Sequence, residues 1–435
     1  MILVFAPKST ARLRYTLNLM LRELLGFDFT ITTDTDEFQS YSGAKFSYGK
    51  RLQDNDLHFA STDLLFKTGI HNLDLLSKDY NGNKVLFPVN KHDAALPYDP
   101  FAAVFFMVSR YEEYLHYRKD KFGRFTAMES IAYKFGFLHK PVVNIWTVEV
   151  GKTLENHFNG LKTKTRLYRF LPTYDIDQAW SYKNKGFLRV TRALAKSAIK
   201  GDFSNVIERI RVITGFRKDP FDTFEYQLHL QMKYHLQPIY FFLFGKYGEY
   251  DKNIATSNTH YRNLIKYIAD YSDTGIHPSY SSNSSNKILG KEIKELSKLL
   301  NREIHHSRQH YLKLHLPDTY RNLANFGISK DYTMGFAALP GFRAGICTPY
   351  QFYDIDMETV IPVTVIPFAV MDGTLKDYMK LSPDKAIDTI NDLISEVKAV
   401  NGVFSSLWHN ESLSETDRWL GWLRVYESLI ENAVP

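Results

Sequence analysis

The chain has 435 residues, 44% hydrophobic and 23% charged, with a formal net charge of +6 from 54 basic and 48 acidic side chains. That length predicts two or three domains, the composition excludes a disordered or collagen-like chain, and so small a basic surplus, spread evenly, does not mark a nucleic-acid binder. A single cysteine, Cys347, excludes an internal disulfide, a Cys-rich zinc site and an iron–sulfur cluster, so any metal must be held by His, Asp or Glu.

Residues 1–7 open on a short apolar run with no basic residues before it. It is too short for the core of a signal peptide and reads as a buried strand, Ile2–Phe5. An amphipathic helix over 9–25 follows, with Gly26 placed to end it, then a strand at Phe29–Thr32. Asp99-Pro100 starts a strongly apolar helix through Val108, because Asp is a good N-cap and Pro suits the first turn. Arg110, Glu112 and Glu113 read as a helical ion pair at i,i+3 spacing. Residues 1–165 thus form one α/β unit, expected to pack on the rest and shape one wall of a cleft. The longest apolar stretches (101–108, 238–244 and 360–371) fall short of the roughly 18 residues that a spanning helix needs. A soluble, cytoplasmic protein is the expectation.

Residues 166–435 have a different rhythm. Strand-like runs at 167–174, 238–244, 274–277, 303–307, 329–334, 363–368 and Val403–His409 alternate with helical patterns at 224–236, 261–271, 287–301, 319–326, 385–400 and 416–430. Seven strands interleaved with helices predict parallel βαβ units, arranged as an α/β barrel or a doubly wound sheet. Both folds gather functional residues at the C-terminal ends of strands. The first of these strands runs into Asp175-Ile176-Asp177, and residues i and i+2 of an extended segment point the same way. Two carboxylates so close need a cation or a proton between them. Other strand ends carry His277, Arg308 with His310, and His409; Arg343, Tyr350 and Asp372 lie in the connections. No one of these is specific, but together they outline a site.

On these residues the second unit resembles the polysaccharide deacetylase family, the nodulation-type carbohydrate esterases. The whole chain is similar to a two-domain bacterial subgroup of that family. The resemblance implies an irregular seven-stranded β/α barrel over 166–435. Thr173-Tyr174-Asp175-Ile176-Asp177 matches the family's Asp-x-Asp variant, which makes Asp175 the general base and Asp177 a metal ligand. In the His-(Ser/Thr)-x-x-His motif His277 fits the first position, but the second falls on Ser281, a poor ligand for a catalytic metal. His310 is the alternative. Arg308 matches the arginine that orients the base, Asp372 the carboxylate that orients the catalytic histidine, and Leu407-Trp408-His409 the strand end that supplies that histidine. Arg343, Tyr350 and Trp408 are the expected substrate contacts.

The implied activity is metal-dependent removal of acetyl groups from an N- or O-acetylated saccharide, with a metal-bound water as nucleophile. Zn is the expected cofactor, and His/carboxylate ligation also suits Co, Ni or Mn. The alternative, motivated by Ser281, is a degenerate member that binds glycan or a biosynthetic partner without turnover. One segment concentrates the charge. Between Ser181 and Lys218 ten Lys/Arg face only Asp202 and Glu208, giving +8 there and −2 elsewhere. With apolar residues at helical spacing, the segment reads as a basic amphipathic lid for an anionic glycan or a membrane surface.

Overall fold

The structure is a computed structural model that describes residues 1–89 and 94–435. The chain is mixed α/β, with its strands in three sheets. The first half holds a parallel sheet of β1 (Ile2–Phe5), β2 (Phe29–Thr32), β3 (Lys45–Tyr48) and β4 (His58–Phe59), ordered β2-β1-β3-β4, and a hairpin of β5 (Ser77–Tyr80) and β6 (Asn83–Leu86). The predicted helix over 9–25 is α1 (Ala11–Leu17), which then widens at 18–24 into a turn with i,i+5 bonds such as Leu25 N–H to Met20 O at 3.0 Å. In α2 (Pro100–Val108), Asp99 accepts from the Ala102 N–H at 3.0 Å as N-cap, and every residue is buried. A helix apolar all round belongs inside a core. Here α2 packs between the two halves, with Phe105 against Tyr353. Helix α3 (Val142–His157) completes the first half.

The second half is built on one large sheet. Its strands are β7 (Arg169–Ile176), β8 (Ile239–Leu243), β9 (Asp273–His277), β10 (His306–Ser307), β11 (Lys330–Asp331), β12 (Tyr350–Asp354), β13 (Thr359–Val365), β14 (Val370–Met371) and β15 (Val403–His409). The order is β12-β13-β11-β10-β9-β8-β7-β15-β14, with only β12 antiparallel to its neighbour. The seven expected strands form its consecutive interior, and β12 and β14 extend it at either edge. The strand predicted at 329–334 pairs over only two residues. Helices α4 (Phe187–Ile199), α5 (Phe203–Ile213), α6 (Phe224–Lys233), α7 (Thr259–Ala269), α8 (Asn286–Leu300), α9 (Asp318–Asn325), α10 (Pro383–Ala399) and α11 (Leu423–Ala433) accompany the strands. All but α4 and α5 bury an apolar stripe.

The strand pairing does not close into the expected barrel: among the described residues the sheet ends at β12 and β14. It is nevertheless strongly curled. Laid flat, β13 and β14 would lie seven strand spacings apart, about 34 Å. The chain from Val365 to Val370 reaches at most about 18 Å. The connecting residues bond to both sides of the gap, Phe368 N–H to Met334 O at 3.2 Å and Ala369 N–H to Ser405 O at 2.9 Å.

The predicted helical pair at Arg110 takes another form. Arg110 has φ of +55° and leaves the helix. Its buried guanidinium bonds Glu112 at 2.7 Å and Glu113 at 2.8 Å. Arg343 closes on Glu113 from the second half at 2.5 Å.

Candidate metal and active site

Parallel pairing puts the C-terminal ends of β7, β9, β10 and β15 along one rim, with Asp175 opposite His409 in register. A pocket of about 330 Å³ opens there, lined by Asp175, Asp177, His277, His310 and His409 among others. Its size is at the small end for ligand sites.

Asp177, His277 and His310 offer ligand atoms within 4.8 Å of one another. His277 Nε2 lies 3.2 Å from Asp177 Oδ1, and His310 Nε2 lies 3.3 Å from Asp177 Oδ2. The outer nitrogens fix the tautomers. His277 Nδ1–H donates to the Arg308 carbonyl at 2.5 Å, and His310 Nδ1–H donates to Asp251 Oδ1 at 2.8 Å. In neutral rings so held, both Nε2 lone pairs point at a carboxylate. That arrangement repels unless a cation or proton lies between. Asp177 Oδ1 is buried and makes no hydrogen bond of normal geometry among the described residues. Around a tetrahedral ion with bonds of roughly 2.1 Å, ligand atoms stand about 3.4 Å apart. The donor set, its spacing and its supporting carbonyl and carboxylate therefore fit a divalent cation. Without one, burial pushes the Asp177 carboxyl up, but His310 and His277 outweigh it and hold the group well below the usual carboxylate range. Burial likewise opposes the charged form of His310, and Asp177 and Asp251 overcome it, raising the group to about 9.

Two further pairs flank this group. Asp175 is buried, and Arg308 Nη1 donates to its Oδ1 at 2.9 Å. The Arg308 guanidinium is fully buried, donates from Nε to the Tyr332 carbonyl at 3.0 Å and lies over the Phe241 ring. Asp175 Oδ2 is left 3.7 Å from His277 Nε2. Across the pocket, His409 Nδ1 donates to Asp372 Oδ1 at 2.8 Å, and the His409 backbone N–H donates to Asp372 Oδ2 at 2.7 Å. Burial opposes the charged imidazolium, and Asp372, then Asp177 and Asp175, raise His409 to about 10. Its Nε2 faces the pocket, 3.9 Å from Asp177. Leu312, Ala337, Met371 and Leu407 form an apolar floor.

Four expected site residues stay outside. Ser281 is exposed and its hydroxyl meets the Ser279 hydroxyl at 3.1 Å, so the second histidine of the group is His310. Trp408 points away from Leu407 and His409, as alternation along a strand requires, and packs on Tyr426. Arg343 is buried in its ion pair with Glu113, and Tyr350 is buried at the start of β12. Other residues were not read from the sequence. Asp251, which orients His310, sits in the loop after β8, a strand end that the rule used above covers. Arg124 comes from the first half, lines the pocket and donates to the Tyr311 carbonyl at 2.9 Å. Tyr250, Tyr311 and Trp419 add aromatic lining.

A family model described only as a family of unknown function, DUF7033, matches residues 2–159. No curated protein matches the sequence. Among solved structures, the chain is similar to a Mycobacterium smegmatis protein assigned as a polysaccharide deacetylase, at 14% identity and a TM-score of 0.40, over 62% of this chain and 85% of that one. It is also similar to PuuE allantoinase, at 13% identity and a TM-score of 0.38, over 64% of this chain and 86% of that one. A Pseudomonas aeruginosa PAO1 protein, also assigned as a polysaccharide deacetylase, matches at 10% identity and a TM-score of 0.38, over 61% of this chain and 84% of that one.

Proposed function

We propose that the protein is a metal-dependent hydrolase that removes acetyl groups from an N- or O-acetylated saccharide. The observation that carries the reading is the convergence of Asp177, His277 and His310 on one point, between an arginine-held carboxylate and a carboxylate-held imidazole. A divalent cation held by those three side chains would polarise the acetyl carbonyl and acidify a water.

The protein's own groups supply the rest. Asp175 takes a proton from the attacking water, and Arg308 keeps the carboxylate aimed by fixing its other oxygen. His409 delivers a proton to the leaving amine or alcohol from Nε2. Asp372 holds Nδ1, which sets the ring's tautomer and favours its charged form. The apolar floor of Leu312, Ala337, Met371 and Leu407 suits an acetyl methyl, and the half-buried Tyr250 and Tyr311 offer rings to the apolar faces of a sugar. The chain trace past the gap between β13 and β14 supports the irregular barrel that the motif resemblance implies.

The test is metal content after purification without chelators, paired with acetate release from acetylated oligosaccharides. Bound metal and released acetate are expected. Absence of both at saturating Zn²⁺ or Co²⁺ would overturn the reading, and metal without acetate would favour glycan binding without turnover.

A further inference from the structure

The basic segment at 181–218 folds as a helical hairpin of α4 and α5 that the core does not absorb. No residue of α4 is buried, and only Val212 of α5 is. Phe187, Leu188, Ile199, Phe203, Ile207 and Ile210 are 48–86% exposed. Leu188 and Ile199 share one face of α4 with Ala195, at i, i+7 and i+11. Phe203, Ile207 and Ile210 share one face of α5, at i, i+4 and i+7. Exposed apolar stripes of this kind mark a surface meant to be covered.

The charges on the same hairpin say by what. Among the described residues Arg192, Lys196, Lys200 and Arg211 form no ion pair, whereas Arg217 pairs with Glu208 and Lys218 with Glu225. A second copy of the hairpin would bring two +8 segments together, which like-charge repulsion opposes. A nucleic-acid strand or an anionic glycan would satisfy the charges but leave the aliphatic side chains in water. An anionic lipid bilayer satisfies both: acyl chains take the apolar stripes and headgroups take the lysines and arginines. We infer that the α4–α5 hairpin docks on an anionic lipid surface. The docking is interfacial, because among the described residues no helix is long and apolar enough to cross a membrane.

The hairpin is tied to the pocket mouth. The Asp219 carboxylate accepts from the N–H groups of Ser181, Tyr182 and Lys183 at 2.7–2.9 Å. Lys185 donates to Gln178 at 2.9 Å, and Arg189 donates to the carbonyls of Asn253 and Lys252. Gln178 and Lys252 line the pocket. Docking therefore brings the pocket opening close to the headgroups. This inference goes beyond the proposed chemistry and does not depend on it.

The test is co-sedimentation of the full chain with vesicles of phosphatidylcholine alone and with phosphatidylglycerol added. Binding to the anionic vesicles is expected, weakening as salt rises. Changing Arg192, Lys196, Lys200 and Arg211 together to Gln should cost about fivefold per charge, several hundredfold in all. Changing Leu188, Ile199, Phe203 and Ile207 together to Ser, with every charge kept, should weaken binding at least about tenfold. All eight side chains face solvent, and far-UV circular dichroism checks that helix content is unchanged. No binding of the wild-type chain to anionic vesicles at low salt would overturn the inference. Equal binding by either variant would do the same. So would a lipid-free dimer in analytical ultracentrifugation that the serine variant abolishes, since a second copy would then own the face.

Discussion

Arg308 acts through both of its ends. Its guanidinium fixes one oxygen of Asp175 at 2.9 Å, and its carbonyl accepts from His277 Nδ1 at 2.5 Å. One residue thus aims a carboxylate and sets the tautomer of a neighbouring imidazole. Replacing Asp175 by Asn keeps an acceptor for Arg308 but removes the proton acceptor. Turnover should fall about 10²–10⁴-fold with circular dichroism unchanged, and wild-type kcat in that variant would remove Asp175 as base. The cation group gives a sharper comparison, read by calorimetric titration of Zn²⁺. Asp251→Asn should weaken binding about 10–100-fold by loosening His310, His310→Ala should weaken it more, and Ser281→Ala should leave it unchanged. Equal losses in the Ser281 and His310 variants would overturn the assignment. At this scale the motif spacing led to Asp175, Asp177, His277 and His409, because each ends a strand. It put Ser281 at the second histidine position and left His310 as the alternative, because a fixed spacing assumes a fixed loop. Here the loop after β10 reaches into the pocket, with Tyr311 and Leu312 in left-handed backbone at φ of +60° and +54°.

Helix α2 shows what one cap sustains. Asp99 is fully buried and accepts from the Tyr48 hydroxyl, from the Thr62 N–H and hydroxyl, and from the Ala102 N–H. Burial raises its carboxyl to about 6, against the pull of those donors. Because the folded value exceeds the unfolded value near 3.9, its contribution to stability is fully present below about pH 4 and is lost as pH rises through 6. Asp99→Asn turns one acceptor into a donor facing the Thr62 N–H and so destabilises at every pH. It should also remove that slope. Urea denaturation at pH 4 and pH 7 should show the wild type losing a few kcal/mol relative to the variant across that window; parallel curves would refute the burial argument. The Asp-Pro start of α2 was legible because capping chemistry is local. The inward turn of Arg110 after Val108 was not, because its partner Arg343 lies 233 residues downstream.

That meeting bears on the whole molecule. Glu113 lies between Arg110 and Arg343, fully buried, and joins the two halves of the chain. Arg12 similarly reaches Glu358, at 2.5 Å. One apolar core runs through both halves. Unfolding should therefore be a single calorimetric transition, with equal calorimetric and van't Hoff enthalpies. Glu113→Gln, which leaves the buried Arg343 guanidinium without its counter-charge and Arg110 with Glu112 alone, should cost about 3–5 kcal/mol. Two separate transitions would show that the halves are independent. The sequence pattern marks where two rhythms meet near residue 165, but periodicity reports which faces are apolar and not what they pack against. The strand register carries a consequence for the order of assembly. β7 pairs with β15, so Thr173 waits for a partner 233 residues downstream. During synthesis Asp177, His277 and His310 all leave the ribosome before His409 does. A nascent chain halted ahead of residue 403 holds the whole candidate triad while β7 still presents a bare edge to its neighbours.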